Sequence, residues 1–305
     1  APPEELAPRL MGHEGQADIS FTVTRDELPA TLRAVDEAVK ELGTEGYTYD
    51  DNMSKVSIVG LGMATRPGVA ETMFRSLAEK GINIEMITTS EIKISVLVAR
   101  ELAQEALRTV HQAFELDKPP AASDGNALAT ARRNGNGAAM IAHLQSMEKL
   151  IIEDITLDET QARVTAVGLP DIPGLAAQVF DEVAEAGIVV DMIVQSVGRE
   201  DRANISFTVP RDDLSNSVKV IGELSKTVGC QAPTHCPAVA KLSVFGIGMK
   251  SHTSVAARMF QSLSKEGINV DMISTSEVRV NVVVEGRFGQ RALEALKREF
   301  ADAML

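Results

Sequence analysis

The stretch Gly81-Ile82-Asn83-Ile84-Glu85-Met86-Ile87-Thr88-Thr89-Ser90-Glu91 returns as Gly267-Ile268-Asn269-Val270-Asp271-Met272-Ile273-Ser274-Thr275-Ser276-Glu277, and no other feature constrains the fold of this chain as much. One displacement, 204 − 18 = 186, carries Asp18-Ile19-Ser20-Phe21-Thr22-Val23 onto Asn204-Ile205-Ser206-Phe207-Thr208-Val209 and Arg25-Asp26 onto Arg211-Asp212. It also carries Gly60-Leu61-Gly62-Met63 onto Gly246-Ile247-Gly248-Met249. A register held without a gap over that distance means that a whole folding unit has been duplicated. A buried strand requires only alternating apolar residues, so the Thr-Ser-Glu kept at the end of both copies points to ligand contact.

Each unit is itself two related halves. Val164-Thr165-Ala166-Val167-Gly168-Leu169-Pro170-Asp171-Ile172-Pro173-Gly174 resembles the run from Val56 to Gly68 with a small length change, and Asp191-Met192-Ile193 corresponds to Glu85-Met86-Ile87. The repeating module is therefore roughly 60–75 residues long. The expected organisation is a truncated first module over 1–52, a second over 53–117, a flexible linker over 118–147, a third module over 148–232 and a fourth over 233–305. The linker is marked by Pro119-Pro120, Gly125-Asn126 and Arg132-Arg133-Asn134-Gly135-Asn136-Gly137.

Within a module the apolar period alternates. Val56, Ile58 and Val59 predict a strand; Val69, Ala70, Met73, Phe74 and Leu77 predict a helix closed by Gly81. Ile82, Ile84, Met86 and Ile87 predict a second strand, and Ile92, Ile94, Val96 and Val98 a third. Leu102, Ala106, Leu107, Val110 and Phe114 predict a second helix. The order β-α-β-β-α with one more strand is the ferredoxin-like pattern of an α+β fold, with helices on one face of an antiparallel sheet. The open face and the sheet edges are left for pairing between modules, or with a second copy in a homodimer.

Composition narrows the partners. The net charge of −13 on 305 residues argues against nucleic acid and anionic membrane. Aromatics make up 4% of the chain, too few for stacking on bases to be its main task. No apolar run approaches the roughly 18–20 residues that span a bilayer. The start, Ala1-Pro2-Pro3-Glu4-Glu5, has none of the marks of a signal peptide, and two cysteines build no disulfide framework, so the cytoplasm is the expected compartment.

Catalytic and cofactor signatures are weak. Gly60-x-Gly62 and Gly246-x-Gly248 begin a dinucleotide fingerprint, but the third glycine is Thr65 or Ser251, and Pro170 breaks the pattern in the third module. Cys230, His235 and Cys236 lack a fourth ligand and zinc-type spacing. His13, His111 and His143 stand apart, with no nucleophile–base arrangement. No cofactor and no metal are expected.

The Val167-Gly168-Leu169-Pro170-Asp171-Ile172-Pro173-Gly174 block, the Ile205-Ser206-Phe207-Thr208-Val209 strand and both Gly-Met…Ile-Asn…Met-Ile…Thr-Ser-Glu blocks resemble the ACT-domain regulatory region of aspartate kinase, of the type with duplicated ACT pairs. The resemblance implies feedback control by lysine and/or threonine, free amino acids serving as effectors. It implies a catalytic domain or subunit of aspartate kinase as partner, and that the strand around 152–157 completes a neighbouring module's sheet. The phosphate-binding Lys-Phe-Gly-Gly-Thr/Ser motif of the catalytic domain has no match here, so the chain alone is expected to be inactive as a kinase. The alternative is a freestanding array of ACT modules that binds amino acids and acts on another partner.

A free amino acid needs a partner for each charged end. The helix starts at Val69, Leu175 and Val255 offer N–H groups to a carboxylate, and Gly68 and Gly174 let the backbone come close. Glu85, Asp191 and Asp271 are candidates for the ammonium. Ser90-Glu91 and Ser276-Glu277 add acceptors, with Gln195-Ser196 in their place in the third module. By resemblance to lysine-bound relatives the second-module set is Met63, Gly68, Val69, Ala70, Ile84, Glu85, Ser90 and Glu91. Its twin is Met249, Ser254, Val255, Ala256, Val270, Asp271, Ser276 and Glu277; the third-module set is Asp171, Gly174, Leu175, Ala176, Asp191, Gln195 and Ser196. His252-Thr253-Ser254 departs from the family's His-Pro-Gly, and a Ser at the Gly position restricts that turn.

Overall fold

The computed structural model describes residues 19–44, 46–60, 68–90, 92–118, 150–196, 202–247, 249, 254–276 and 278–304. Residues 1–18 and the predicted linker beyond Lys118 lie outside them. In chain order the elements are α1 (Leu28–Leu42), β1 (Met53–Val59), α2 (Val69–Glu79), β2 (Met86–Ser90), β3 (Lys93–Ala99) and α3 (Ala103–Ala113). After the linker come β4 (Ile151–Asp158), β5 (Gln161–Pro170), α4 (Leu175–Glu185), β6 (Ile193–Ser196), β7 (Arg202–Pro210), α5 (Leu214–Val228) and β8 (Thr234–Cys236). The last set is β9 (Val239–Ile247), α6 (Ser254–Lys265), β10 (Met272–Thr275), β11 (Arg279–Glu285) and α7 (Gly289–Glu299). This is the tandem α+β pattern of the ferredoxin-like type, its strands paired antiparallel.

The helix-to-strand turn is built identically three times. Gly81, Gly187 and Gly267 have φ of +66°, +71° and +65°, a left-handed conformation that only glycine adopts without strain. The next amide then reaches back to close the helix: Ile82 N to Leu77 O at 3.0 Å, Ile188 N to Val183 O at 3.1 Å, Ile268 N to Leu263 O at 2.9 Å. Those isoleucines are buried and pin the chain to the core. The second strand is shorter than its apolar pattern predicts. Residues 82–84 lie outside any strand, and pairing with β3 begins only at Glu85 N to Leu97 O, 3.0 Å.

Two sheets result. The larger has seven strands in the order β1-β3-β2-β6-β7-β5-β8, so the second and third modules share one sheet through β2 and β6. The smaller, β10-β11-β9-β4, belongs to the fourth module. β4 precedes the third module in sequence but pairs antiparallel with β9, so the third-module span beginning at 148 opens with a strand that serves the fourth. Gly246 makes room for it: a Cβ there would stand 2.2 Å from the Ile151 carbonyl oxygen.

One continuous core lies under the second and third modules, with Met73, Phe74, Ile87, Val164, Phe180 and Phe207 among its members, and a separate core fills the fourth. Met192, Val239, Met272 and Val283 form a small third cluster where the two sheets meet. The described part of the span expected to hold a truncated first module is poorly buried. α1 buries no residue, and Ile19 and Phe21 are 63% and 59% exposed, although their counterparts in β7 are buried. Among the described residues, 19–24 form no strand.

Candidate functional site at the seam of two modules

Residues of the second module find their third-module counterparts 106 positions on, as 191 − 85 = 106 shows for Glu85 and Asp191. Thr88 pairs with Val194, its own counterpart, at the crossing of antiparallel β2 and β6. An approximate twofold therefore passes through the seam, and the two modules present each other with equivalent surfaces. Polar ties run across it. Ile193 N donates to Thr89 Oγ1 at 2.7 Å, and Gln195 Nε2 donates to the Ile84 carbonyl at 3.0 Å. Above the sheet α2 lies along α4, with Arg75 bridging Glu71 at 2.6 Å and Asp181 at 3.1 Å.

The twofold produces a pair of cavities. Cavity 1, about 510 Å³ counting the solvent it opens onto, is lined by the start of α2 (Gly68, Val69, Ala70, Glu71), by Thr89 and Ser90, and by Phe180, Asp191 and Ile193 of the third module. Cavity 2, about 360 Å³, reverses the roles, with the start of α4 (Gly174, Leu175, Ala176, Ala177) and Asp171 facing Asn83, Ile84 and Gln195. Gly68 and Gly174 sit immediately before the helices with φ of +86° and +93°. The helix starts therefore lie at the cavity walls, although the Leu175 amide is already bonded to the Ile172 carbonyl at 3.3 Å.

The acceptors differ between the two cavities. In cavity 2, Asn83 Nδ2 donates to Asp171 Oδ1 and to Glu85 Oε1, both at 3.1 Å, which ties two carboxylates together across the seam. Burial, and to a lesser extent Asp171 nearby, pushes the Glu85 carboxyl above its ordinary range, against the pull of the Asn83 hydrogen bond. Gln195 is 4% exposed and its Oε1 has no hydrogen-bond partner. In cavity 1 the buried Ser90 Oγ lacks a partner as well, whereas Asp191 is held by Lys241 Nζ of β9.

Eleven of the residues singled out from sequence line the two cavities: Gly68, Val69, Ala70, Ser90 and Asp191 in the first, and Ile84, Asp171, Gly174, Leu175, Ala176 and Gln195 in the second. Glu85 lies one hydrogen bond behind Asn83. Met63, Glu91 and Glu277, with the side chain of Ser196, lie outside the described residues.

The fourth-module set has a different setting. Met249, Val255 and Val270 are buried in that module's own core. Ser254 and Ala256 open α6, and Ser276 N closes the turn after β10 on Arg279 O at 2.8 Å. Asp271 stands 3.8 Å from Arg163 and is raised above the ordinary range, because burial outweighs a guanidinium at that distance. Among the described residues β10 has only β11 as a strand neighbour, so no second module meets this set as the third meets the second.

The sequence reading passed over Asn83, Lys241 and Arg163. Asn83 was within reach, since it recurs as Asn269 inside the repeated block; the amide atoms of Asn269 are buried without partners. Lys241 and Arg163 hold the same place at the head of a first strand, but a single basic residue there carries no signal until its partner is seen.

The ACT domain family model matches residues 56–114, 164–224 and 242–300, and the chain belongs to that family. Within it, the relatives are aspartate kinases, and their regulatory region is what this chain corresponds to. It is 40% identical over 156 residues to an aspartate kinase of Stutzerimonas stutzeri, a match that takes in 51% of this chain and 38% of that one. The crystal structure of aspartate kinase from Synechocystis superposes on 92% of this chain and 46% of its own length, with 33% identity and a TM-score of 0.74. The regulatory subunit of aspartate kinase from Thermus thermophilus, in ligand-free form, is 36% identical over 49% of this chain and 98% of its own, with a TM-score of 0.46. The chain thus spans less than half the length of the curated relative and of the Synechocystis enzyme. Among the described residues, no helix is long and apolar enough to cross a membrane.

Proposed function

We propose that this chain senses free amino acids, lysine and/or threonine, at the seam of its second and third modules and passes their presence to an aspartate kinase catalytic domain or subunit in the cytoplasm. The observation that carries this reading is Gln195 Oε1, buried and without a partner in a cavity that also holds Asp171 and the start of α4. An α-carboxylate suits the helix N-terminus, and an α-ammonium suits the Asp171 carboxylate and the Gln195 carbonyl opposite. A ligand so held contacts both modules at once, so it favours one packing of modules over another, and that preference is the whole of its effect on a distant active site. The chain itself performs no step of chemistry. It pairs with a second copy through its ACT modules.

Titration calorimetry with lysine, threonine and NAD tests the reading. Binding of either amino acid, and not of NAD, is the expected result; heat from NAD alone would overturn it. Adding the chain to an aspartate kinase catalytic domain stripped of its own ACT modules should make that domain sensitive to the bound amino acid. Binding without transmitted inhibition would favour the freestanding array that acts on another partner.

A further inference from the structure

The two cavities differ in one respect that the proposed function does not use: the fourth module reaches the walls of cavity 1. Lys241 of β9 is bonded to Asp191 Oδ2, and Ser274 of β10 donates its hydroxyl to the Thr89 carbonyl; Asp191 and Thr89 both line cavity 1. Cavity 2 is walled by the second and third modules alone. Next to Asp191, Met192 packs on Val239, Met272 and Val283 of the fourth module. The Lys241–Asp191 pair has a counterpart with the modules exchanged, Arg163 of the third module with Asp271 of the fourth, 3.8 Å apart and lining neither cavity.

We infer that Asp191 is a shared acceptor: Lys241 holds it while cavity 1 is empty, and the ammonium of an amino acid in cavity 1 competes for it, so that filling the cavity loosens the fourth module. The inference rests on the amino-acid reading above and assigns the regulation of that site. Lys241 and Asp191 side chains are only 13% and 19% exposed, so water screens little of their interaction. Two cations drawn to one such carboxylate repel each other, and each weakens the hold of the other. By linkage, whatever Lys241 gains from Asp191 is subtracted from ligand binding, and the ligand loosens Lys241 by the same factor.

The test is calorimetry with lysine and with threonine on the whole chain, in wild type, Lys241→Met and Arg163→Met, with amide exchange followed in β9 and β10. Lys241→Met should tighten the amino acid that enters cavity 1 by about five- to tenfold. Arg163→Met, which breaks the pair that lines neither cavity, should change it less than about twofold. In wild type the ligand should speed exchange in β9, and in Lys241→Met it should not. Because Lys241→Met strands a half-buried carboxylate, Asp191→Asn is the second variant; at saturating ligand it too should lack the exchange response. Equal affinity in wild type and Lys241→Met, or an exchange response that persists in Asp191→Asn, overturns the inference while leaving amino-acid binding intact. Failure of wild type to bind either amino acid overturns the amino-acid reading and this inference together.

Discussion

Phe74 and Phe180 occupy the same position in successive modules and meet across the seam, their ring centroids 5.4 Å apart and their planes inclined by 57°. Phe180 also meets Phe207 edge-on at 5.7 Å, which anchors the pair to β7 below. The seam is thus hydrophobic core, and the cavities on either side are bounded by a contact that cannot be wet without unfolding the joint.

Truncation at this contact should be expensive. Phe180→Ala is expected to cost about 3–5 kcal/mol, the range for emptying a fully buried aromatic site. Urea denaturation of the whole chain measures it. A loss under about 1 kcal/mol would mean that the second and third modules do not share a core.

Gly246→Ala should displace β4 from the fourth module. The added methyl would sit 2.2 Å from the Ile151 carbonyl oxygen, backbone against side chain with nothing flexible to yield. Amide exchange should rise across β4 while the paired strands β2 and β3 of the second module stay protected. Retained protection in β4 would show that the approach at Gly246 is looser than described.

Gln195→Leu removes the unpaired carbonyl from cavity 2 and leaves the Ile84 carbonyl without its donor. The expected cost to folding is about 1–3 kcal/mol for the buried carbonyl left unpaired. Amino-acid affinity at cavity 2 should fall at least about tenfold, one lost hydrogen bond to a charged group being worth about 1.5–3 kcal/mol. Calorimetry beside urea denaturation separates the two losses.

The raised Glu85 carboxyl predicts a pH dependence of definite sign. The folded state keeps this proton at a pH where the unfolded chain has released it, so stability falls as pH climbs from the ordinary glutamate range through the raised value. Glu85→Gln carries no such proton. Its stability relative to wild type should therefore increase across that window and level off above it. A difference that is flat with pH would place the Glu85 carboxyl in its ordinary range.

How much of this was legible beforehand depended on whether a feature was repeated. The strand-helix-strand order, the glycines closing each helix and the residues at the helix starts recur module by module, and repetition set them apart from ordinary apolar patterning. The late start of pairing after Ile84 was not legible, because Ile82 and Ile84 are buried without being in a strand and buried residues read alike. The Lys241–Asp191 pair joins residues 50 apart in different modules, and the alignment of one module on another says nothing about which module a side chain will touch. Ile19 and Phe21 carry a strand pattern that the chain does not use, since a strand needs a neighbour as well as a sequence.

β4 leaves the linker, crosses to the fourth module and sends the chain back to build the third before β9 arrives to receive it. Ile152 is additionally tied to the far end of the chain, its amide bonded to the Ala303 carbonyl at 2.8 Å. The third module is consequently an insertion inside the fourth, and the two cannot be parted by a single cut. Anyone grafting this sensor onto another protein would have to move the second, third and fourth modules together, since the second walls both cavities and the fourth encloses the third. On the ribosome, Ile152 and Ile155 must wait bare until the module nested within has been threaded out, which makes that interval the one in which a chaperone or a neighbouring chain has its opportunity.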